Sequence, residues 1–332
     1  MAKKKAKKRA IKPANSPKRG PGLLPGLGGE PWEPTPNPVS RLDMERLNRS
    51  ISRLLAEQEF DSTEEMNAFL ASLSSGRTLD DIIDGTERDP KEEAQELAYL
   101  AMEAKTDKEA RSYCRQALKL DPHCMDARVT QAGLNARSER DLLTRMMKIV
   151  REAETEFGEA FFEENRGHFW GLVETRPYMR ARATLVSLLQ ATDSLEEATA
   201  ECEGLLELNP NDNQGNRDIL RGLYLEAGNV EGIRRLDSEY EDEMFAIPRW
   251  SMVLERWLSD DLKQAEERAR AGHKSNPHVV VYLSGAKRLP KEEPAGYSLG
   301  SQEEAVLCAS LLGKAWRVHP EAISWLRGLK LK

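Results

Sequence analysis

The chain has 332 residues, and its formal net charge at neutral pH is −7. Hydrophobic residues at 39% and charged residues at 32% are typical of a soluble, helix-rich protein that can bury a substantial core. No run approaches the roughly 18 apolar residues of a membrane span, and the four cysteines show no paired spacing, which excludes a membrane protein and a disulfide framework. We therefore expect a reduced, cytoplasmic protein without membrane contact.

The first 40 residues (1–40) are predicted to be a disordered basic arm. Residues 1–20 carry nine Lys or Arg and no acidic residue, whereas residues 21–332 hold the other 40 basic residues and all 56 acidic ones. Gly and Pro dominate the stretch from Gly20 to Pro38, which cannot pack a core. Lys clusters neutralise phosphates, so the arm is either a binding segment for RNA or ribosomes or a solubilising tail. The clustered residues are Lys3, Lys4, Lys5, Lys7, Lys8 and Arg9.

Two short helices are predicted between residues 41 and 76. The first has an apolar stripe made of Leu47, Ile51, Leu54 and Leu55. The second begins near Ser62, which is spaced from Glu65 as in a capping box. We expect this small helical pair to be joined by a polar linker, residues 77–90, to a helical array over residues 91–332.

The array shows a degenerate repeat. Asp89 and Pro90 open a helix as its cap and first residue. Later helical segments end at Asp121-Pro122, Asn209-Pro210 and Asn276-Pro277, and the last two prolines are 67 residues apart, close to twice the ~34-residue period of tetratricopeptide repeats. Small residues that let two helices approach closely stand twelve and eight positions before each proline: Ala110, Ala198 and Ala265, and Cys114, Cys202 and Ala269. The pattern predicts an all-α solenoid of tetratricopeptide-like helical hairpins.

Aromatic side chains are concentrated between residues 157 and 170. Phe161, Phe162, Phe169 and Trp170 lie there. Such a cluster is either part of the core or a hydrophobic surface for a partner.

Arg182 lies on the apolar face of the helix predicted for Tyr178–Gln190. A buried guanidinium requires a charged partner. Either Arg182 lines a ligand groove, or it forms a structural ion pair with a nearby carboxylate, for which Glu163, Glu164, Glu174 and Glu201 are candidates.

The first helices of stacked repeats line the concave face of a solenoid, and here they carry arginines. Arg and Asn side chains bind carboxylates through charge-assisted hydrogen bonds, which favours an acidic peptide or helix as the partner. A row of charges is otherwise a solvated helix face. The predicted contacts are Arg176, Arg180, Arg182, Asn213, Arg217 and Arg221.

The C-terminal part is predicted to close the array. The apolar run Val279–Leu283 is either a helical turn or an extended segment, and a Pro- and Gly-rich loop follows it. Ser301 and Glu304 are spaced as a capping box for the next helix, and Pro320 begins a short last helix.

Five stretches are more specific than the repeat pattern: 167–172, 176–182, 209–215, 276–279 and 300–305. Through them, residues 157–328, about half of the chain, resemble the repeat region of the suppressor-of-tumorigenicity-seven family and its bacterial relatives. The resemblance implies a helical repeat protein without known enzymatic activity. Eukaryotic members have membrane-spanning segments, which this sequence lacks, so their location is not transferred.

The sequence contains neither a phosphate-binding loop nor an HExxH motif. His168 follows Glu164 by four residues, but a third metal ligand is missing. We therefore expect no enzymatic activity, no cofactor and no metal. The predicted function is a protein–protein interaction scaffold that holds a peptide or helix on its concave face. The alternative is an RNA- or ribosome-associated protein that uses the basic arm.

Overall fold

The computed structural model describes residues 40–73, 82, 88–240, 244–292 and 294–331. The predicted basic arm and most of the predicted linker lie outside these residues. Within them the protein has fifteen α-helices and no strand, which confirms the all-α prediction. The helices are α1 (Arg41–Ala56), α2 (Thr63–Leu73), α3 (Pro90–Glu103), α4 (Asp107–Leu120), α5 (Met125–Asn135), α6 (Glu139–Asn165), α7 (Arg176–Ala191), α8 (Leu195–Leu208), α9 (Asn216–Glu226), α10 (Val230–Glu239), α11 (Ala246–Leu258), α12 (Leu262–Ser275), α13 (Val279–Leu283), α14 (Gln302–Val318) and α15 (Pro320–Gly328).

The helix boundaries follow local capping chemistry. Asp89 caps α3 by accepting a 2.9 Å hydrogen bond from the Glu92 backbone N–H, and Pro90 is the first helical residue. Ser301 caps α14 in the same way, and the Glu304 carboxylate accepts the Gly300 backbone N–H at 2.7 Å. The helices α4, α8 and α12 end immediately before the three Asp-Pro or Asn-Pro pairs, as the sequence predicts. The run Val279–Leu283 is a short helix.

Consecutive helices pack as pairs, with α3 against α4, α7 against α8 and α11 against α12. Helices two positions apart also contact each other: α3 with α5, α5 with α7, and α9 with α11. The small residues that the repeat pattern singled out are all buried at these contacts: Ala110, Cys114, Ala198, Cys202, Ala265 and Ala269. Their burial confirms that these positions allow close helix packing.

Two helices near the chain ends cover the paired helices in different ways. The helix α14 packs against α9 and α11, and its buried residues are mostly apolar, including Leu312 and Trp316. The helix α1 lies against α3 and the turn before α7, and its buried residues are Glu45 and Ser50. The sequence predicts a separate unit for α1 and α2, but α1 is attached to the array through polar side chains.

The close approach of α9 and α14 gives a test of this packing. A Cβ atom added at Gly222 would lie 2.7 Å from the Leu311 carbonyl oxygen, and a backbone atom cannot move aside as a flexible side chain can. We expect Gly222→Ala to lower the free energy of unfolding by about 1–3 kcal/mol. The matched control is Gly133→Ala in α5, where nothing lies within 4 Å of the new Cβ. It is expected to be neutral or stabilising by up to about 1 kcal/mol. Urea unfolding monitored by circular dichroism measures both, and equal effects would contradict the packing of α9 on α14.

Candidate protein-binding surface

A row of arginines on α1 faces a row of carboxylates on α3. We call Arg46, Arg49 and Arg53 the arginine row, and Glu92, Glu96 and Glu103 the acidic row. At about 100° per residue, each row falls within roughly 60° of its helix circumference. Each row therefore forms a single stripe, and the two stripes can meet along the whole length of the contact.

The ion pairs between the rows define the direction of α1. Arg46 donates from Nε to Glu96 at 2.9 Å and from Nη2 to Glu103 at 2.9 Å. Arg49 donates from Nη1 to Glu92 at 3.0 Å, and Arg53 lies 3.4 Å from the same carboxylate. Increasing residue numbers in α1 meet decreasing numbers in α3, so the two helices run antiparallel.

A buried polar network lies beneath these pairs and extends the contact to α5 and α7. The Tyr99 hydroxyl donates to the Glu45 carboxylate at 2.6 Å. Arg180 on α7 donates to Glu45 at 2.7 Å and also to Asp126 on α5. Gln95 donates to Asp126 at 2.7 Å, so each carboxylate has two donors. Glu45 and Asp126 are 5% and 4% exposed, and this pairing offsets the large desolvation free energy of burying them.

Arg49 connects the acidic row to this network. Its Nε donates to the Tyr99 hydroxyl at 2.9 Å, and its Nη2 donates to the Val173 carbonyl oxygen at 3.2 Å. The Arg46 guanidinium stacks over the Tyr99 ring, 5.2 Å from its centroid. Tyr99 thus contacts two arginines and one carboxylate of α1, and is the residue around which α1 is docked.

The electrostatic surroundings keep these groups in their usual charge states at neutral pH. Burial raises the pKa of Tyr99 far above its ordinary value, and Glu45 raises it further, so the hydroxyl keeps its proton. Burial lowers the pKa of Arg180, but Asp126 and Glu45 more than offset this effect and raise it overall. For Arg49, burial also lowers the pKa, and Tyr99 and Glu92 reverse the shift. Arg49 and Arg180 therefore stay charged, and the Tyr99 hydroxyl stays neutral.

Two of the predicted contacts, Arg176 and Arg180, lie on α7 near α1. Arg180 is bound by Glu45 and Asp126, so its charge is neutralised within the chain. Arg176 donates from Nε to the Trp170 carbonyl oxygen at 3.0 Å and stacks over the Trp170 ring. Burial lowers the pKa of Arg176, and the nearby Arg180 lowers it further.

The predicted contacts Arg182 and Arg221 point away from this surface. Arg182 pairs with Glu201 on α8 at 2.7 Å, which is the structural ion pair that the sequence left as an alternative. Arg221 is fully buried and pairs with Asp218 at 2.8 Å and Asp237 at 3.1 Å. The prediction that Arg221 contacts a partner needs correction, because a fully buried side chain offers no surface. It stabilises the packing of α9 on α10.

The remaining predicted contacts lie around the loop between α8 and α9. Asn213 is exposed in this loop. The Arg217 guanidinium stacks over the Tyr240 ring at 5.2 Å and lies 3.8 Å from the Asp212 carboxylate. The six predicted residues therefore do not form one continuous row, and four of the arginines have carboxylate partners within the chain.

Apart from Arg180, the residues that build the α1 contact are not among the predicted site residues. Their signal in the sequence is the spacing of each row, Arg46, Arg49 and Arg53 on α1 and three Glu on α3. Such a stripe usually faces solvent. Nothing in the spacing shows that these two stripes face each other, because the paired residues lie 39 to 57 positions apart in the sequence.

Neither a protein family nor a curated protein matches the chain. Among the described residues, no group of three or more His, Cys, Asp or Glu side chains is arranged to hold a metal ion. None of the helices in the described ranges has both the length and the apolar character that crossing a bilayer requires. The α1 contact is therefore the feature of the described residues from which a function can be inferred.

Removing Arg180 tests the buried network. Arg180→Ala leaves the buried Asp126 without its charged partner, so we expect the free energy of unfolding to fall by about 3 kcal/mol. Arg270→Ala is the matched control, because Arg270 forms an exposed pair with Glu266 one helical turn away. The control should lose less than about 1 kcal/mol. Similar losses in the two variants, measured by urea unfolding, would contradict a buried network.

A pH effect is expected at the loop before α9. Asp212 accepts the backbone N–H groups of Asn216 and Arg217, but burial outweighs these bonds and raises its pKa from 3.8 to about 6. The folded protein therefore binds this proton more tightly than the unfolded chain, and its stability falls as the pH rises from about 4 to about 6. The difference between the pKa values of the unfolded and folded states corresponds to about 3 kcal/mol in the free energy of unfolding.

Asp212→Asn removes this titration and isolates its contribution. We expect the stability of the wild type relative to that of the variant to fall by up to about 3 kcal/mol between pH 4 and pH 7. Thermal unfolding of both proteins across this pH range measures the difference. A difference that stays constant with pH would contradict the raised pKa.

Proposed function

We propose that the protein is a non-enzymatic interaction scaffold that binds a helical segment of a protein partner on the surface formed by α3, α5 and α7. The observation that carries this proposal is the docking of α1 on that surface. The surface holds an α-helix through side-chain contacts from two helices, namely Glu92 and Tyr99 of α3 and Arg180 of α7. Asp126 of α5 supports this surface by binding Arg180.

The repeat architecture supports the same function. We propose that the helical pairs form a tetratricopeptide-like array, and the contacts between helices two positions apart support this arrangement. In such arrays the first helices of successive pairs create an extended binding surface. Helices α3, α5 and α7 occupy those positions. The resemblance to the suppressor-of-tumorigenicity-seven family agrees with a scaffold. The four free, buried cysteines support a cytoplasmic location.

The charge of this surface changes the expected partner. The sequence predicts that arginines of the array bind an acidic segment, but Arg180 and Arg182 are neutralised by carboxylates of the chain. The groups that bind α1 are mainly the carboxylates of the acidic row. An interaction through this surface therefore favours a basic partner.

A charge reversal tests the proposed function. The full chain carrying Glu92→Arg, Glu96→Arg and Glu103→Arg is compared with the wild type and with a control that reverses the exposed residues Glu159, Glu164 and Glu267. Proteins retained from lysate are identified, and each is purified and titrated by calorimetry against all three forms. We expect binding at least about tenfold weaker for the reversed acidic row, because like charges then face each other. The control should bind as the wild type does.

Equal affinity of one purified partner for all three forms would contradict the proposed surface. The alternative function has its own outcome in this experiment. If the full chain retains RNA, and if replacing Lys3, Lys4, Lys5, Lys7, Lys8 and Arg9 by Ser abolishes that retention, the basic arm carries the function. Its binding would then weaken steeply with added salt, because bound Lys releases counterions from phosphates.

A further inference from the structure

The docking of α1 differs from ordinary helix packing in what it buries. Its apolar residues Leu47, Ile51 and Leu54 remain half-buried, and the buried residues of α1 are Glu45 and Ser50. Neither apolar cluster of the described residues includes a residue of α1. The helix α1 therefore contributes no side chain to the apolar clusters of the array.

Another helix that carries the same charged groups could make all the contacts that hold α1. They consist of three arginines at positions i, i+3 and i+7 and one carboxylate, Glu45, at i−1. Any amphipathic helix that presents the same groups in the same direction would make the same hydrogen bonds. Arg is suited to this role because its planar fork can bind two carboxylates at once, as Arg46 does with Glu96 and Glu103.

The surface without α1 would present unbalanced negative charge. The acidic row would then face solvent together with Tyr99, which accepts from Arg49 and stacks under Arg46. Asp126 would still be neutralised by Arg180. The exposed surface would therefore combine three carboxylates in a stripe with one aromatic ring, which is the complement of an arginine-bearing helix face.

We propose that α1 is an internal ligand that occupies the binding surface, and that the partner is an amphipathic helix with arginines at i, i+3 and i+7 that replaces it. This inference rests on the proposed function and adds the partner's chemistry. Because α1 is part of the same chain, it competes at an effective concentration in the millimolar range. Binding of a partner is therefore weak until α1 is displaced.

The experiment uses a probe taken from the chain itself. A fluorescein-labelled peptide of residues 40–58 is titrated with full-length protein, and fluorescence anisotropy measures its dissociation constant. The proteins are the wild type and a variant with Arg46→Glu, Arg49→Glu and Arg53→Glu, whose α1 repels the acidic row. We expect the variant to bind the peptide at least about tenfold more tightly than the wild type, because its own α1 no longer competes.

Two controls separate this effect from unfolding and from non-specific attraction. A peptide with the three arginines replaced by Glu should not bind either protein, and circular dichroism should show the same helix content for both proteins. A third protein combines the reversed α1 with Glu92→Arg and Glu96→Arg, and it should lose the arginine peptide.

The inference is overturned if the variant binds the arginine peptide no better than the wild type, or if the arginine and glutamate peptides bind equally. Even with either of these two outcomes, the proposed function still holds if a purified partner binds the protein with the reversed acidic row more weakly than it binds the wild type. Conversely, tighter peptide binding by the variant, without any purified partner that loses affinity on reversal of the acidic row, would contradict the proposed function and the proposed partner. Only the displaceable docking of α1 would then be supported.

Discussion

The contact between α1 and the array depends on one buried group, the Tyr99 hydroxyl. It donates to Glu45 and accepts from Arg49, so both residues of α1 are fixed by the same atom. Arg180 then binds Glu45 and Asp126 together, which ties α1, α5 and α7 to each other. Each member satisfies another's charge or hydrogen bond, and loss of one leaves a buried polar group unpaired. This interdependence orients α1 in one register on the surface.

The two covering helices show how the same architecture can produce a permanent and a replaceable contact. The helix α14 buries apolar side chains such as Leu312 and Trp316, and removing it would expose part of the core of α9 and α11. The helix α1 buries two polar residues and leaves the apolar clusters complete without it. Separating a helix that buries apolar side chains costs much free energy, because these side chains become exposed to water. Separating a helix held by charged pairs costs much less, because water hydrates the charges again. The surface covered by α1 is therefore a better candidate for ligand binding than the surface covered by α14.

Features that depend on nearby residues were predictable from the sequence, and those that depend on distant residues were not. Asp89 and Ser301 were recognised as caps because the bond that each accepts is only three residues away. Arg182 was recognised as needing a carboxylate, and Glu201 is 19 residues away in the next helix. The partners of Arg180, by contrast, are Asp126 and Glu45, which lie 54 and 135 residues earlier in the chain. Helical periodicity cannot indicate a contact between residues so far apart, so the sequence alone predicts that Arg180 is a surface charge for an acidic ligand.

Charged pairs, not apolar packing, hold α1 on the array. Hydrogen–deuterium exchange of the full-length wild type at about 0.05 M and about 0.5 M NaCl tests it directly, since salt screens partly exposed charges over this range. We expect the amides of α1 to exchange several-fold faster at the higher salt concentration, whereas those of α14 should be unchanged. Protection of α1 that does not depend on salt would contradict it.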